Sequence, residues 1–413
     1  MGGSAFPNHF IPRMSHATYS DLLSKNQEIL THFYAHVRVP PEGPSKQDHG
    51  DVDFIVATPL YAFKAEELQR ALGAVARTRI GVTISFCVPL PTPTATIATT
   101  ATSSPSSATP APGEQEGAEG AEESFAQIDV HEVRDAAMLD WEVFLASYGD
   151  MQQILGLLQR PVGLTSNDKG MHVRVPEIEE RNRKAAMIFL TCEVHEMLRF
   201  LGLDVRKWES GFESNEDVFE WCLKGRFWGE KVVTDVLAGR HRMKEDGMGM
   251  HSGDRLRMKK RPMFRACVED FIPQRQDLWV GKRDWERMEV LEEALNHFGV
   301  KTEYEKMMEE HMTARREKAL LEELKRAVAE EGDGLGVVMK GLKRWVRWEN
   351  GRPIMCDEEE EIGDKPKWLA KVQDEDKDAL LEWLTENHQE LRRREKERAG
   401  RMRRGRETAK ANP

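Results

Sequence analysis

The segment HGDVDFIV, residues 49–56, constrains the fold of this chain more than any other feature. Its β-prone residues, followed by Pro59, predict a short strand. Side chains alternate between the two faces of a strand, so Asp51 and Asp53 are expected to project from the same face. Two neighbouring carboxylates repel each other unless a cation lies between them, and hard cations such as Mg²⁺ prefer carboxylate oxygens. The pair therefore predicts a divalent-metal site.

The segments around this strand predict two helices and two more strands, at residues 19–37, 66–75, 79–88 and 125–133. We expect residues 82–88 to pair antiparallel with the last of these segments. This pairing places Asp129 on a strand beside the one that carries Asp51. A third carboxylate in that position completes a two-metal site. In such a site one ion activates the attacking oxygen, and the other neutralises the charge of the leaving pyrophosphate.

Residues 91–124 differ in composition from the rest of the chain. They consist almost wholly of Pro, Thr, Ala, Ser, Gly and Glu, with few side chains able to enter a core. We therefore expect a disordered insertion at the tip of the hairpin that its flanking strands form.

Beyond the sheet, helical patterns predominate, at residues 136–158, 183–201, 215–223 and 283–330, with a hairpin turn around residues 167–170. The whole predicts an α+β protein with a small mixed sheet flanked by helices, then a mainly helical domain, then a charged helical extension. The expected boundaries are residues 1–147, 148–300 and 301–413, the last with a basic tail.

Composition disfavours several classes of protein. The five cysteines are scattered without a CxxC pair, which argues against a disulfide framework and a cysteine-rich zinc module. The chain has no run of eighteen apolar residues, and its N-terminus lacks the patterns of a secretory or transit signal. We therefore expect no membrane partner and an intracellular location, cytoplasmic or nuclear. The net charge of −11 still leaves room for local basic patches.

Two groups of residues are candidates for nucleotide contacts. Gly2, Gly3 and Ser4 precede a helical region, and their backbone N–H groups and the serine hydroxyl are suited to hold a triphosphate. The second group comprises Tyr148, Asp150, Asn167 and Arg174. These residues would frame the base or sugar, or would serve equally well as structural hydrogen-bonding groups.

The motifs GGS at residues 2–4, GDVDF at 50–54 and QIDV at 127–130 together resemble the signature of the nucleotidyltransferase fold of the DNA polymerase beta superfamily. The chain resembles in particular uncharacterised nucleotidyltransferase-like proteins of fungi and large DNA viruses, over roughly residues 1–225. The resemblance implies that three aspartates are catalytic and bind Mg²⁺ or Mn²⁺, namely Asp51, Asp53 and Asp129. It further implies that Gly3 and Ser4 contact the nucleotide phosphates and that Asp129 activates the acceptor hydroxyl.

The expected reaction is transfer of a nucleoside monophosphate from an NTP such as ATP to a hydroxyl acceptor, with release of pyrophosphate. RNA is a candidate acceptor because basic residues cluster at 255–261 and 392–406, although solvated helices explain these runs equally well. The acidic run at residues 357–361 either folds back on the basic tail or keeps a loop soluble. The rival function is a catalytically inactive nucleotidyltransferase-like scaffold that binds nucleic acid or protein.

Overall fold

A computed structural model gives the fold and describes residues 4–44, 46–91, 123–245, 252–328, 333–361 and 363–411. The chain forms two compact units, Met1–Val300 and Lys301–Pro413. The expected α+β class is confirmed, with a five-stranded mixed sheet in the first unit and long helices in the second. The expected boundary between residues 147 and 148 lies inside the first unit and stays a prediction. Most of the segment 91–124, expected to be disordered, lies outside the described residues.

The strands are β1 Tyr34–Arg38, β2 Asp51–Pro59, β3 Ala76–Ile80, β4 Thr83–Pro89, β5 Phe125–Val133, β6 Leu164–Asn167, β7 Gly170–Arg174, β8 Met187–Thr191, β9 Val346–Glu349 and β10 Arg352–Met355. The helices of the first unit are α1 His16–Thr31, α2 Ala65–Leu72, α3 Leu139–Ala146, α4 Met151–Gln159, α5 Pro176–Glu179, α6 Val194–Phe200, α7 Val205–Ser210, α8 Asn215–Leu223, α9 Glu230–Glu245, α10 Ser252–Lys260, α11 Pro262–Ala266, α12 Ile272–Gln274 and α13 Arg287–His297. Those of the second unit are α14 Lys301–Ala327, α15 Asp333–Trp345 and α16 Lys377–Ala411. Among the described helices, none is long and apolar enough to cross a lipid bilayer.

The five-stranded sheet has the order β1-β2-β5-β4-β3. Strands β2 and β5 run parallel, and the other neighbouring strands are antiparallel, including the expected pair β4 and β5. Val52, Phe54 and Val56 project from one face of β2 into the main hydrophobic core, which also contains side chains of α1 and α2. Burial of these alternate residues explains why β2 adopts its register.

The opposite face of the sheet divides into an apolar and an acidic part. Ile55 and Ala57 of β2 pack with Val133 and with Leu139 of α3. Asp51 and Asp53 share this face but lie nearer the start of β2. Helix α3 therefore packs beside one end of the face, and the aspartates occupy the other.

Two segments that were each expected to form one helix or strand contain two elements in the structure. The segment 19–37 contains α1 followed by β1, because its last residues pair with β2 along the sheet edge. The segment 79–88 contains the end of β3 and most of β4. The two strands are joined at Gly81, whose φ of 62° lies in the left-handed region that favours glycine.

The expected helix at residues 183–201 is wrong in its first half, where β8 precedes α6. Strand β8 pairs with β7 of the predicted hairpin, which forms as expected with Asn167 opposite Gly170. Short apolar runs such as that of β8 are ambiguous between strand and helix, and here the available sheet edge stabilises the strand.

Two long predicted helices are interrupted. Residues 136–158 form α3 and α4, separated by Tyr148 and Gly149, whose φ angles are 52° and 62°. Residues 283–330 contain α13 and α14, separated near Gly299 with a φ of 68°. A positive φ is incompatible with a continuous right-handed helix, so each helix ends at these residues.

The second unit packs α14, α15 and α16 around a core that includes residues of the β9–β10 hairpin. Its acidic run, residues 357–361, folds back on the basic tail. Asp357 lies 3.2 Å from Arg394, and Glu359 lies 2.6 Å from Arg398. Of the two roles expected for this run, pairing with the basic tail is therefore confirmed.

Candidate metal centre

Three carboxylates, which we call the aspartate cluster, converge between two neighbouring strands. Asp51 and Asp53 lie on β2, and Asp53 is the register partner of Asp129 on the parallel strand β5. One carboxylate oxygen from each residue lies within 4.8 Å of the other two. Within the described ranges, no other trio of histidine, cysteine or acidic side chains is gathered so closely. The structure thus brings the three sequence-predicted aspartates together.

The negative charge of the aspartate cluster is only partly balanced by its surroundings. Burial, followed by the charges of Asp51 and Asp129, raises the pKa of Asp53 to about 7. Asp53 still touches solvent, but the surrounding protein limits how much water can solvate its carboxylate. Burial also raises the pKa of Asp129, against the opposing effect of its hydrogen bonds. A divalent cation would relieve this repulsion.

The donor set fits a hard divalent cation. All three donors are carboxylate oxygens, the ligands that Mg²⁺ and Mn²⁺ prefer. Two oxygens bound to one Mg²⁺, each about 2.1 Å from it, lie at most about 4.2 Å apart. The upper limit of 4.8 Å within the cluster is close to this value. The three oxygens are therefore gathered closely enough to surround a divalent cation.

Two buried polar residues hold the Asp129 carboxylate. The amide nitrogen of Gln127 donates to both Asp129 oxygens, at 3.0 and 2.9 Å. Ser85 on the antiparallel neighbour β4 adds a further hydrogen bond. Since Gln127 and Ser85 are both buried, these bonds restrict rotation of the carboxylate.

The N-terminal segment approaches the aspartate cluster through Gln127. The backbone N–H of Ala5 donates to the Gln127 side-chain oxygen at 3.1 Å. Ser4 directly precedes Ala5 and is exposed. Gly2 and Gly3 lie outside the described residues, so the phosphate-binding role of the GGS motif stays a prediction.

Sequence reasoning missed charged residues that lie near the cluster. Lys46 Nζ lies 2.6 Å from Glu42, and the charge of Lys46 opposes the rise in the pKa of Asp53. Arg13 lies 2.6 Å from Asp48, and a hydrogen bond to that carboxylate raises the arginine pKa, with a smaller contribution from the cluster. Lys46 and Glu42 both lie in the loop that leads into β2. Their closeness in sequence to Asp51 and Asp53 could have identified them.

The other expected nucleotide-contacting residues have structural contacts. Tyr148 is buried and packs edge-on against Trp208. The Asn167 side chain accepts a backbone hydrogen bond within the β6–β7 turn. Arg174 is buried and pairs with Glu179 at 2.9 Å. In the part of the chain that the structure describes, no hydrogen bond or ion pair joins these three residues to the aspartate cluster.

The comparisons of this sequence with protein families and with curated proteins found no match. Functional inference therefore rests on the motifs, the α+β fold and the geometry of the aspartate cluster.

Proposed function

We propose that this chain is a metal-dependent nucleotidyltransferase that moves a nucleoside monophosphate from an NTP to an acceptor hydroxyl. One observation carries the proposal, namely that carboxylate oxygens from two parallel strands lie within 4.8 Å of one another on the acidic part of a sheet face. Carboxylates arranged in this way are suited to hold Mg²⁺ against a triphosphate. The resemblance of the GDVDF and QIDV motifs to the polymerase beta superfamily supports the same conclusion.

The aspartate cluster would hold Mg²⁺ or Mn²⁺, which when bound supplies positive charge to the triphosphate and the departing pyrophosphate. Lys46 and Arg13 would bind phosphate oxygens, because the charge of each acts on an aspartate of the cluster. Glu42 and Asp48 hold these cations in place through ion pairs of 2.6 Å. On binding, phosphate oxygens would compete with these carboxylates for the same cations.

Asp129 would act as the base in the transfer. The acceptor oxygen forms a bond to the α-phosphorus, the bond from that phosphorus to the pyrophosphate oxygen breaks, and the hydroxyl proton passes to the Asp129 carboxylate. The hydrogen bonds from Gln127 orient the carboxylate for this role.

The test is incubation of the full-length protein with Mg²⁺ or Mn²⁺, total RNA and each NTP in turn, labelled at the α-phosphate. Transfer of label and release of pyrophosphate are expected for the natural sequence. Both should be lost in the Asp51→Ala/Asp53→Ala variant, because it lacks two of the three metal ligands. Asp21→Ala is the matched control, since Asp21 is exposed on α1 and is not part of the cluster.

Two results would contradict the proposal. One is label transfer that persists in the double variant. The other is the absence of both turnover and nucleotide binding with every NTP and either metal, which would favour the inactive scaffold. Circular dichroism of the double variant would show that any loss of activity does not reflect unfolding.

A further inference from the structure

A cleft of about 600 Å³ lies where the start of α4 meets α10 and α11. This volume is within the range of about 300–1,000 Å³ that is typical of ligand-binding clefts. We call it the basic cleft, and its polar lining residues are Asp150, Gln153, Arg257, Lys260 and Arg261.

The basic cleft has a net positive charge. Residues 256–268 contain five lysines and arginines and no carboxylate. Within the cleft, Arg261 lies 2.7 Å from the carboxylate of Asp150, and Arg257 donates a hydrogen bond to Gln153. Lys260 is exposed, and among the described residues its side chain has no ion-pair or hydrogen-bond partner. The positive charge of Lys260 therefore remains available to a ligand.

The helices that present these cations are anchored. Met258 of α10 and Phe264 of α11 are buried. Asp150, also buried, accepts a hydrogen bond from the backbone N–H of Phe264 at 3.1 Å as well as the bond from Arg261. Because the helices are held in place, binding of a ligand would cost little ordering of the protein.

The other basic segment, at the end of α16, is differently situated. Arg394 and Arg398 pair with Asp357 and Glu359 of the acidic run. Glu359 also lies 3.5 Å from Arg401. A nucleic acid would have to displace these carboxylates, so the basic cleft is the better phosphate-binding surface.

A backbone hydrogen bond joins the segment beside the basic cleft to the loop that leads into β2. Asp150 follows closely after Tyr148, whose backbone N–H donates to the Pro41 carbonyl oxygen at 2.7 Å. Pro41 directly precedes Glu42. The loop that contains Pro41 and Glu42 leads into β2, the strand that carries Asp51 and Asp53.

We propose that the basic cleft binds the phosphodiester backbone of a single-stranded nucleic acid, which is the acceptor in the reaction proposed above. Arg257 and Lys260 contact phosphate oxygens, while Leu256 and Pro262 of the same lining offer apolar surface to a base or sugar. Contact with an unpaired base requires a single strand, since the bases of a duplex are stacked inside the helix. The role as acceptor rests on the proposed function, whereas binding itself does not.

The test is fluorescence anisotropy of the full-length protein with a labelled oligouridine and an oligothymidine of equal length, in EDTA and without NTP. Lys260→Glu is expected to weaken binding by roughly tenfold, the effect of losing about one charge-assisted contact. It should also reduce the slope of log affinity against log salt by about 0.7. Lys259→Glu is the matched control, because Lys259 is exposed on the same helix but does not line the cleft. Its effect should be about twofold or less, since only long-range charge changes.

Equal weakening by the two substitutions would overturn the proposal, because it would indicate diffuse surface charge. Failure of both oligonucleotides to bind, or equal affinity for polyglutamate, would overturn it as well. Binding of either oligonucleotide with loss confined to Lys260→Glu supports it. The Asp51→Ala/Asp53→Ala variant should bind like the natural sequence, so binding can be confirmed even where nucleotidyl transfer fails.

Discussion

Replacing Asp53 by Asn is expected to stabilise the metal-free protein at alkaline pH. Burial, and then the charges of Asp51 and Asp129, raise the pKa of Asp53 from its ordinary 3.8 to about 7. Without screening by solvent, this difference in pKa corresponds to about 4 kcal/mol. Because part of the Asp53 side chain still touches solvent, which screens its charge, we expect Asn to stabilise by only about 1 kcal/mol. For a unit of this size, that energy raises Tm by about 2 °C.

The pH dependence of this effect follows from proton linkage. A carboxyl group with a raised pKa in the folded protein contributes stability that is fully present below the unfolded pKa and is lost as pH rises through the folded pKa. For Asp53 this window extends from 3.8 to about 7. Asparagine does not titrate, so the Tm difference between Asp53→Asn and the natural sequence should approach zero at acid pH. It should be largest above about pH 8.

The assay is thermal melting followed by circular dichroism across this pH range, in EDTA and in Mg²⁺. Mg²⁺ should stabilise the natural sequence by binding the folded state, and should stabilise Asp53→Asn much less. Asp21→Asn, an exposed change on α1, is the control and should not alter either comparison. A lower Tm for Asp53→Asn in EDTA at alkaline pH, or equal stabilisation of both proteins by Mg²⁺, would refute the electrostatic account of the cluster.

Two further substitutions test the packing around buried polar groups. Gln127→Ala removes the two hydrogen bonds that orient Asp129 and should lower metal affinity or transfer by about 10–100-fold. Isothermal calorimetry with Mn²⁺ measures the metal affinity. If both this affinity and the rate of transfer are unchanged, the role of Gln127 is contradicted. Glu395→Ala removes the partner that lies 3.1 Å from the buried Arg344 and leaves it only the longer ion pair of 3.7 Å with Glu359. The free energy of unfolding should fall by about 2 kcal/mol, less than for a buried charge left with no partner. Urea denaturation followed by tryptophan fluorescence measures this, and a loss under about 1 kcal/mol would show that the pair is dispensable.

Much of the aspartate cluster was predictable because its signals are local. Alternation along a strand predicted a shared face for Asp51 and Asp53, and the β-prone residues around Asp129 predicted its strand. The pairing of β4 with β5 followed once the segment between them was read as an insertion. By contrast, the strand β8 was missed, because a short apolar run has no periodicity that separates it from a helix.

The sequence by itself determined the α+β class, the strand that carries the acidic pair and the basic character of residues 255–261, since these depend on composition and on spacing between neighbours. Only the tertiary structure decided that Asp53 faces Asp129 and that Ala5 bonds to Gln127 across 122 residues. It also decided that the acidic run pairs with the arginines of α16, while Arg257, Lys260 and Arg261 line an open cleft. Such contacts join residues that are distant along the chain. Their geometry depends on how whole strands and helices pack, and the residues near each contact in the sequence do not reveal that packing.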